Sequence, residues 1–442
     1  MKKLTLILIC IFIFLLTGCQ SEGKLPDNDP TPPVNSSNAG ENDPGNDAPN
    51  HNPANPTYNS AGVDTSGFQK EMNVQHPFRI RAACKTEAGY YFDNEGLLYF
   101  LDRTTGNVTI VCGRPECSHT DNDCNAWVNT PMLSFYQGKL YYVNADAKSD
   151  SMYTLYSVEP DGTNHTKIQR LQLEYMPYRT VLGNPILTNG NLYFLEGDSQ
   201  IYTVPLGEDV SKAVLLFEDD MTHTLESSWK FWADGSEVYA MNHILDDAGY
   251  NQDILYRLGA TQSETREIWR STEIAKGVAD ASWYITNGHL YYYFSGSDLW
   301  DVELGTGDTK KMFALADTVK SATALFTDSY FILLDDQPDS KWGIQSGWRE
   351  GGTNLTVYDY SGNLMGEVSL ASIFEKYSDA VQCSLVFADG KSVYVLLYRG
   401  MYMSASNNLV RVDWEEGSIY EVTNWPEADN IYKDNHIEME IR

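Results

Sequence analysis

The chain is 442 residues long and carries 31 Lys and Arg against 61 Asp and Glu, a net charge of −30 at pH 7. A field of that sign repels nucleic acid and anionic lipid, so neither is an expected partner of the folded part, and the acidity reads as a solvated exterior. The sequence also lacks Gly-x-Ser-x-Gly, His-Glu-x-x-His, a phosphate-cradling glycine loop and the dinucleotide-binding glycine fingerprint, which removes the commonest enzymatic signatures.

In chain order, Lys2 and Lys3 give a basic start, Leu4 to Leu16 an apolar stretch, and Leu16-Thr17-Gly18-Cys19 a small-residue site ending in cysteine. This is the pattern of a secretory signal peptide closing on a lipobox. It resembles the leaders of bacterial lipoproteins. The resemblance implies that residues 1–18 are cut away, that Cys19 is diacylated, and that the chain is held at the cell membrane by lipid, facing out of the cytoplasm. An uncleaved anchor is disfavoured, because the apolar run is shorter than the roughly 20 residues a span needs. Residues 19–70 then read as a disordered tether: eight of the 17 prolines lie between Gln20 and Lys70, among Asn, Asp, Gly and Ser. As a flexible coil such a segment reaches roughly 40 Å.

Residues 71–442 read as a repeat. A turn followed by an alternating aromatic strand recurs at Gly89-Tyr90-Tyr91-Phe92, Gly138-Lys139-Leu140-Tyr141-Tyr142, Gly190-Asn191-Leu192-Tyr193-Phe194, Gly235-Ser236-Glu237-Val238-Tyr239, Gly288-His289-Leu290-Tyr291-Tyr292, Asp328-Ser329-Tyr330-Phe331 and Gly390-Lys391-Ser392-Val393-Tyr394. A second hairpin follows at Leu98 to Cys112, Leu155 to Ile168, Leu299 to Met312, Leu355 to Val368 and Leu409 to Val422, each around its own X-Gly turn. Repeating four-stranded units at this period predict an all-β fold, a single β-propeller of seven four-stranded blades. Most of the 29 tyrosines are then packing residues between blades. The turn in Leu155-Tyr156-Ser157-Val158-Glu159-Pro160-Asp161-Gly162-Thr163-Asn164 resembles those of TolB-like propellers, and the aromatic strand openings resemble propellers of low-density-lipoprotein-receptor type. Together with the leader, residues 75 to 425 are similar to lipid-anchored propeller lipoproteins of Gram-positive anaerobes, a likeness that implies the fold and leaves the ligand open. The ring's closing strand is assigned either to Gly67 to Ile80 or to Asn430 to Ile441.

In a meander of strands A to D, the A–B and C–D turns share one face of the disc and the other connections share the opposite face. The short turns are of the first kind. The long connections are of the second: Cys112 to Pro131, Ala145 to Ser151, Glu174 to Pro185, His243 to Gln252, Gln337 to Asn354 and Gly400 to Asn408. Binding residues are expected there, with Trp342, Trp348 and Arg349 beside Met401, Tyr402 and Met403 as the candidate patch, although the tryptophans also suit covering blade ends.

Cys112, Cys117, His119 and Cys124 place three thiols and an imidazole within thirteen residues. Three readings stay open: a structural zinc, one disulfide within the cluster, or free thiols. Cys84 and Cys383 fall on the inner strands of the first and last blades, neighbours in a closed ring, and form a candidate disulfide. The expected function is a non-enzymatic binding or scaffolding propeller for a protein or glycan. The alternatives are a carboxylate-based glycan-cleaving or lyase enzyme at the central channel, and a structural component of an envelope complex.

Overall fold

The computed structural model of the chain describes residues 80–422 apart from 95, 120–123, 129, 131, 146–152, 172–184, 198, 220–223, 247–249, 272–274, 277–280, 295–298, 314–321, 336–353, 378–379 and 400–405. The leader with Cys19, the tether, Trp342, Trp348, Arg349, Met401, Tyr402 and Met403 therefore lie outside the described residues.

Tight turns set the strand order. Every repeat opening folds as an A–B hairpin: Ile80–Lys85 pairs with Gly89–Asn94, Leu133–Tyr136 with Lys139–Ala145, Ile186–Thr188 with Asn191–Glu196, and Thr224–Asp234 with Glu237–Asp246. The same holds for Ala281–Thr286 with His289–Phe294, Ala322–Phe326 with Tyr330–Asp335, and Ala380–Asp389 with Ser392–Arg399. At Gln137-Gly138, Asn189-Gly190 and Asn287-Gly288 both turn residues have positive φ, the conformation whose twist matches a two-residue hairpin. Third and fourth strands complete seven antiparallel sheets, each in the order A-B-C-D. The chain is thus an all-β propeller of seven blades. Among the described residues one short α-helix interrupts it, Ala371–Lys376, between blades six and seven.

Three expectations change. The ends of the stretch from His243 to Gln252 are paired strand rather than irregular loop, because Glu237–Asp246 and Tyr250–Leu258 stay paired out to Leu245 and Asn251. Blades three and four carry C–D hairpins that the sequence pattern does not single out; short 3-10 turns, Val210–Lys212 and Gln262–Glu264, lengthen their connections beyond a two-residue X-Gly turn. Neither terminal segment is needed to complete a sheet, since blade one is built from Ile80 to Ile110 and blade seven from Ala380 to Glu421, each with four consecutive strands.

Strand alternation decides which blade each aromatic side chain meets. Tyr90 stacks on Phe387 of blade seven at a centroid distance of 4.6 Å, whereas the next residue, Tyr91, reaches blade two and donates to the Pro160 carbonyl at 3.2 Å. Blade five repeats the rule, with Tyr292 against Trp269 of blade four and Tyr291 against Tyr360 of blade six. A second interlock forms at the rim, where the C–D turn of one blade lies over the outer strand of the blade before it. Gly162 sits on Val111, the Gly207 N–H donates to Gln169 Oε1, Gly307 faces the Ile268 carbonyl, and Trp414 covers Gly366.

Candidate metal centre

The outer strand of blade one, Val108–Ile110, is short. Just past it the Val111 N–H donates to the Leu98 carbonyl at 2.9 Å, and the Leu98 N–H donates to the Ala126 carbonyl at 2.7 Å. Trp127 then bridges Leu97, and the Val128 N–H donates to the Gly96 carbonyl at 2.8 Å. Residues 126–128 resume the sheet edge that Val111 leaves. The segment between them is a loop pinched at its neck, with both ends held by Leu98. The cysteine cluster therefore stands at the outer edge of blade one, a finer placement than the blade-to-blade connection inferred from spacing.

The loop leans on blade two. Asn125 Nδ2 donates to the Gly162 carbonyl at 3.3 Å, and Gly113 faces the Thr163 side chain. Gly162 has φ 80°, and a Cβ there would stand 2.5 Å from the Val111 oxygen and 2.9 Å from the Cys112 nitrogen. Only glycine fits that turn against that backbone.

Within the loop, the ligand atoms of Cys112, Cys117, His119 and Cys124 all lie within 4.8 Å of one another, and His119 Nδ1 is 3.3 Å from Cys124 Sγ. The Cys117 N–H donates to the Arg114 carbonyl at 3.2 Å, closing a turn in which Pro115 takes the position its fixed φ suits. The Ala126 N–H donates to Cys124 Sγ at 3.3 Å. Cys124 is buried against the core shared by blades one, two and seven, while Cys112, Cys117 and His119 are half-buried. His119 adopts φ 58°, a left-handed conformation that costs a residue other than glycine about 1–2 kcal/mol unless its surroundings hold it there.

The electrostatics are graded across the set. The backbone N–H of His119 holds the Cys117 thiol below its usual range, against some desolvation and with help from the neighbouring thiols and Arg114. Burial pushes Cys124 up to about 12. Burial, and then the Arg114 charge, push His119 down, which favours the neutral imidazole a metal requires. A tetrahedral zinc with ordinary Zn–S and Zn–N bonds sets its donor atoms about 3.5–3.8 Å apart, so no pair in the observed set needs to move by more than about 1.3 Å. Three sulfurs and one nitrogen so placed can hold a metal ion.

Cys84 and Cys383 do lie on inner strands, as expected, yet no disulfide is formed among the described residues. Cys383 packs in the core between blades six and seven, and Cys84 in the core around blade one. Strand alternation turns Cys383 to the side of its sheet away from blade one, which overturns the candidate pair. Burial raises the Cys84 thiol far above its usual range.

Sequence reasoning missed a second polar cluster, because its members meet only through register. His243 and Asp253 are opposite each other in blade four, with Nδ1 to Oδ1 at 2.7 Å. The other Asp253 oxygen accepts from Tyr292 of blade five at 2.6 Å. The buried carboxylate thereby ties two blades. Leu98 and Gly162 were missed for the same reason: nothing in the local sequence shows what a backbone faces across a seam.

No family model matches the chain, and no curated protein matches it. Similar solved structures include one from an analysis of two prolyl endopeptidases, 12% identical, covering 80% of this chain and 50% of that one at a TM-score of 0.48. Another is an oligogalacturonate lyase from Vibrio parahaemolyticus, 9% identical, covering 64% of this chain and 74% of that one at a TM-score of 0.37. The chain spans half the length of the first. Identities this low say nothing of activity.

Proposed function

We propose that the chain is an exported propeller, tethered to the cell membrane through a lipidated Cys19, that binds a protein or glycan without transforming it, and that zinc holds its pinched loop. The observation that carries the binding reading is the inequality of the two faces. All seven A–B turns are short, while the long connections at the opposite strand ends include 336–353 and 400–405, with Trp342, Trp348, Arg349, Met401 and Tyr402 among or beside them. Aromatic and guanidinium groups on loops of a rigid scaffold suit recognition. The zinc reading rests on the donor chemistry: three thiols and one neutral imidazole match a closed structural site, whose role is to fix a loop too short to bury a core of its own.

Two experiments test the parts separately. Triton X-114 partitioning of the full chain, expressed in a Gram-positive host, is expected to send it to the detergent phase and the Cys19→Ala chain to the aqueous phase; aqueous partitioning of both overturns the anchor. The purified chain, tested on glycan arrays and on isolated cell-wall sacculi, is expected to be retained by one of these probes. A Trp342→Ala/Trp348→Ala variant with unchanged thermal stability should lose that retention. No retention on any glycan surface removes the glycan reading and leaves a protein ligand.

A further inference from the structure

The three thiols of the cluster are more than a fixed cage, because two of them are half-buried and all three lie within 4.8 Å of one another on a loop whose neck closes without them. We propose that the site is a peroxide-sensitive zinc switch with two states, a reduced Cys₃His zinc site and an oxidised, metal-released disulfide. This inference rests on the zinc reading above.

Three features carry it. The neck bonds from Leu98 to Val111 and Ala126 are backbone bonds of the blade edge, so the loop stays closed while its interior rearranges. Access is graded: Cys112 and Cys117 are half-buried and stand beside the exposed tip Gly113 to Glu116, whereas Cys124 is buried. The remaining described thiols, Cys84 and Cys383, are buried in strand cores and cannot compete for an oxidant. The count of three is also significant, since any pair that joins leaves one thiol and one imidazole, too few to retain zinc.

The chemistry balances with a hydroperoxide as oxidant. The Cys117 sulfur attacks one peroxide oxygen; an S–O bond forms, the O–O bond breaks, and the departing hydroxide takes a proton to become water. The resulting sulfenic acid is attacked by the sulfur of Cys112 or Cys124; an S–S bond forms, the S–O bond breaks, and a second hydroxide leaves and is protonated. Two thiolates lose two electrons in total, one hydrogen peroxide becomes two waters, and Zn²⁺ departs once half its ligands are gone. A thiol reductant with added zinc reverses the cycle.

The test uses the full chain purified anaerobically with reductant, loaded with zinc, desalted and titrated with hydrogen peroxide. A chromogenic chelator reads zinc release, and mass spectrometry of alkylated peptides reads the sulfur state. The expected result is one zinc released and one disulfide formed per peroxide consumed, joining Cys117 to Cys112 or Cys124, with reloading after dithiothreitol. A Cys117→Ser chain, which cannot form that disulfide, should consume peroxide at least tenfold more slowly. Zinc retained through several equivalents of peroxide, or zinc lost with oxidation of Cys117 to sulfinic acid and no disulfide, overturns the switch while leaving untouched the reading that the reduced chain binds zinc. A reduced chain that takes up no zinc fails at the earlier reading instead, so the two failures are distinct.

Discussion

Blade one is held on its two sides by different means. Towards blade seven the ring must close with no shared strand, and it does so with side chains: Tyr90 lies on Phe387, its hydroxyl donates to the Ala388 carbonyl at 3.0 Å, and Lys85 and Arg103 converge on the nearly buried Asp389. Towards blade two the chain is continuous, and to the shared core and the Tyr91 hydroxyl on the Pro160 carbonyl it adds a close backbone approach: Gly162 against Val111 and Cys112, Asn125 on the Gly162 carbonyl, and the pinched loop with its candidate metal donors. A seam without covalent continuity is closed by aromatic burial and charge. A seam that already has continuity is free to carry a loop with a separate purpose.

If that contrast is right, truncating Tyr90 does the greatest damage. Tyr90→Ala is expected to cost about 3–5 kcal/mol in urea unfolding, and Tyr90→Phe, which removes only the hydroxyl, about 1 kcal/mol. Equal small losses for both would place closure elsewhere. On the other seam, Gly162→Ala drives a Cβ into backbone and should cost about 1–3 kcal/mol. It should also weaken zinc uptake, because Cys112 moves with Val111; wild-type zinc affinity in this variant would separate the loop from the seam. Chelation of the metal should speed amide exchange around Val111 and Ala126 and leave Tyr90 and Ala388 unchanged.

Asp389→Asn comes next, at about 1–2 kcal/mol, discounted because Arg103 and Lys85 are partly solvated. Its loss should shrink as salt rises, which thermal melts at two ionic strengths would show. The smallest effect belongs to the Lys376–Glu421 pair, exposed on both sides. A hydrogen bond from Lys376 lowers the Glu421 carboxyl below its usual range, so the stabilisation is present above the unfolded-state value and fades as pH falls through the folded one. Lys376→Ala should cost the least of these variants at pH 7, and nothing at pH 2.

The blades were legible because their signals are local. A turn between alternating aromatic runs reports a hairpin within ten residues, as Asn-Gly or Asp-Gly in four openings and as Ala88-Gly89, Gln137-Gly138 and Thr327-Asp328-Ser329 in the other three, so all seven appear where the turns stand. Blades three and four hid their outer hairpins because a 3-10 turn lengthens each connection, capped in blade three by Asp209 through the Ser211 N–H, so that Gly207 and Gly259 stand at its start rather than at a two-residue turn. The candidate metal donors were legible as residue types within a short span. What they lean on was not, since Gly162 and Leu98 act through backbone atoms across a blade and a seam. The Cys84–Cys383 pairing failed on similar grounds: adjacency of blades is visible from the repeat, but the side of the sheet each cysteine faces depends on strand phase, and blade seven's first strand has register shifts near Gln382 and Leu385.

Whether Cys112, Cys117, His119 and Cys124 form one metal site is read by X-ray absorption at the zinc edge on the full chain, purified with reductant and without chelator. The predicted result is one zinc per chain with three sulfurs at about 2.3 Å and one nitrogen at about 2.0–2.1 Å, lost in Cys124→Ser. A chain without zinc, or zinc in an all-oxygen and nitrogen shell unaffected by that substitution, would contradict it.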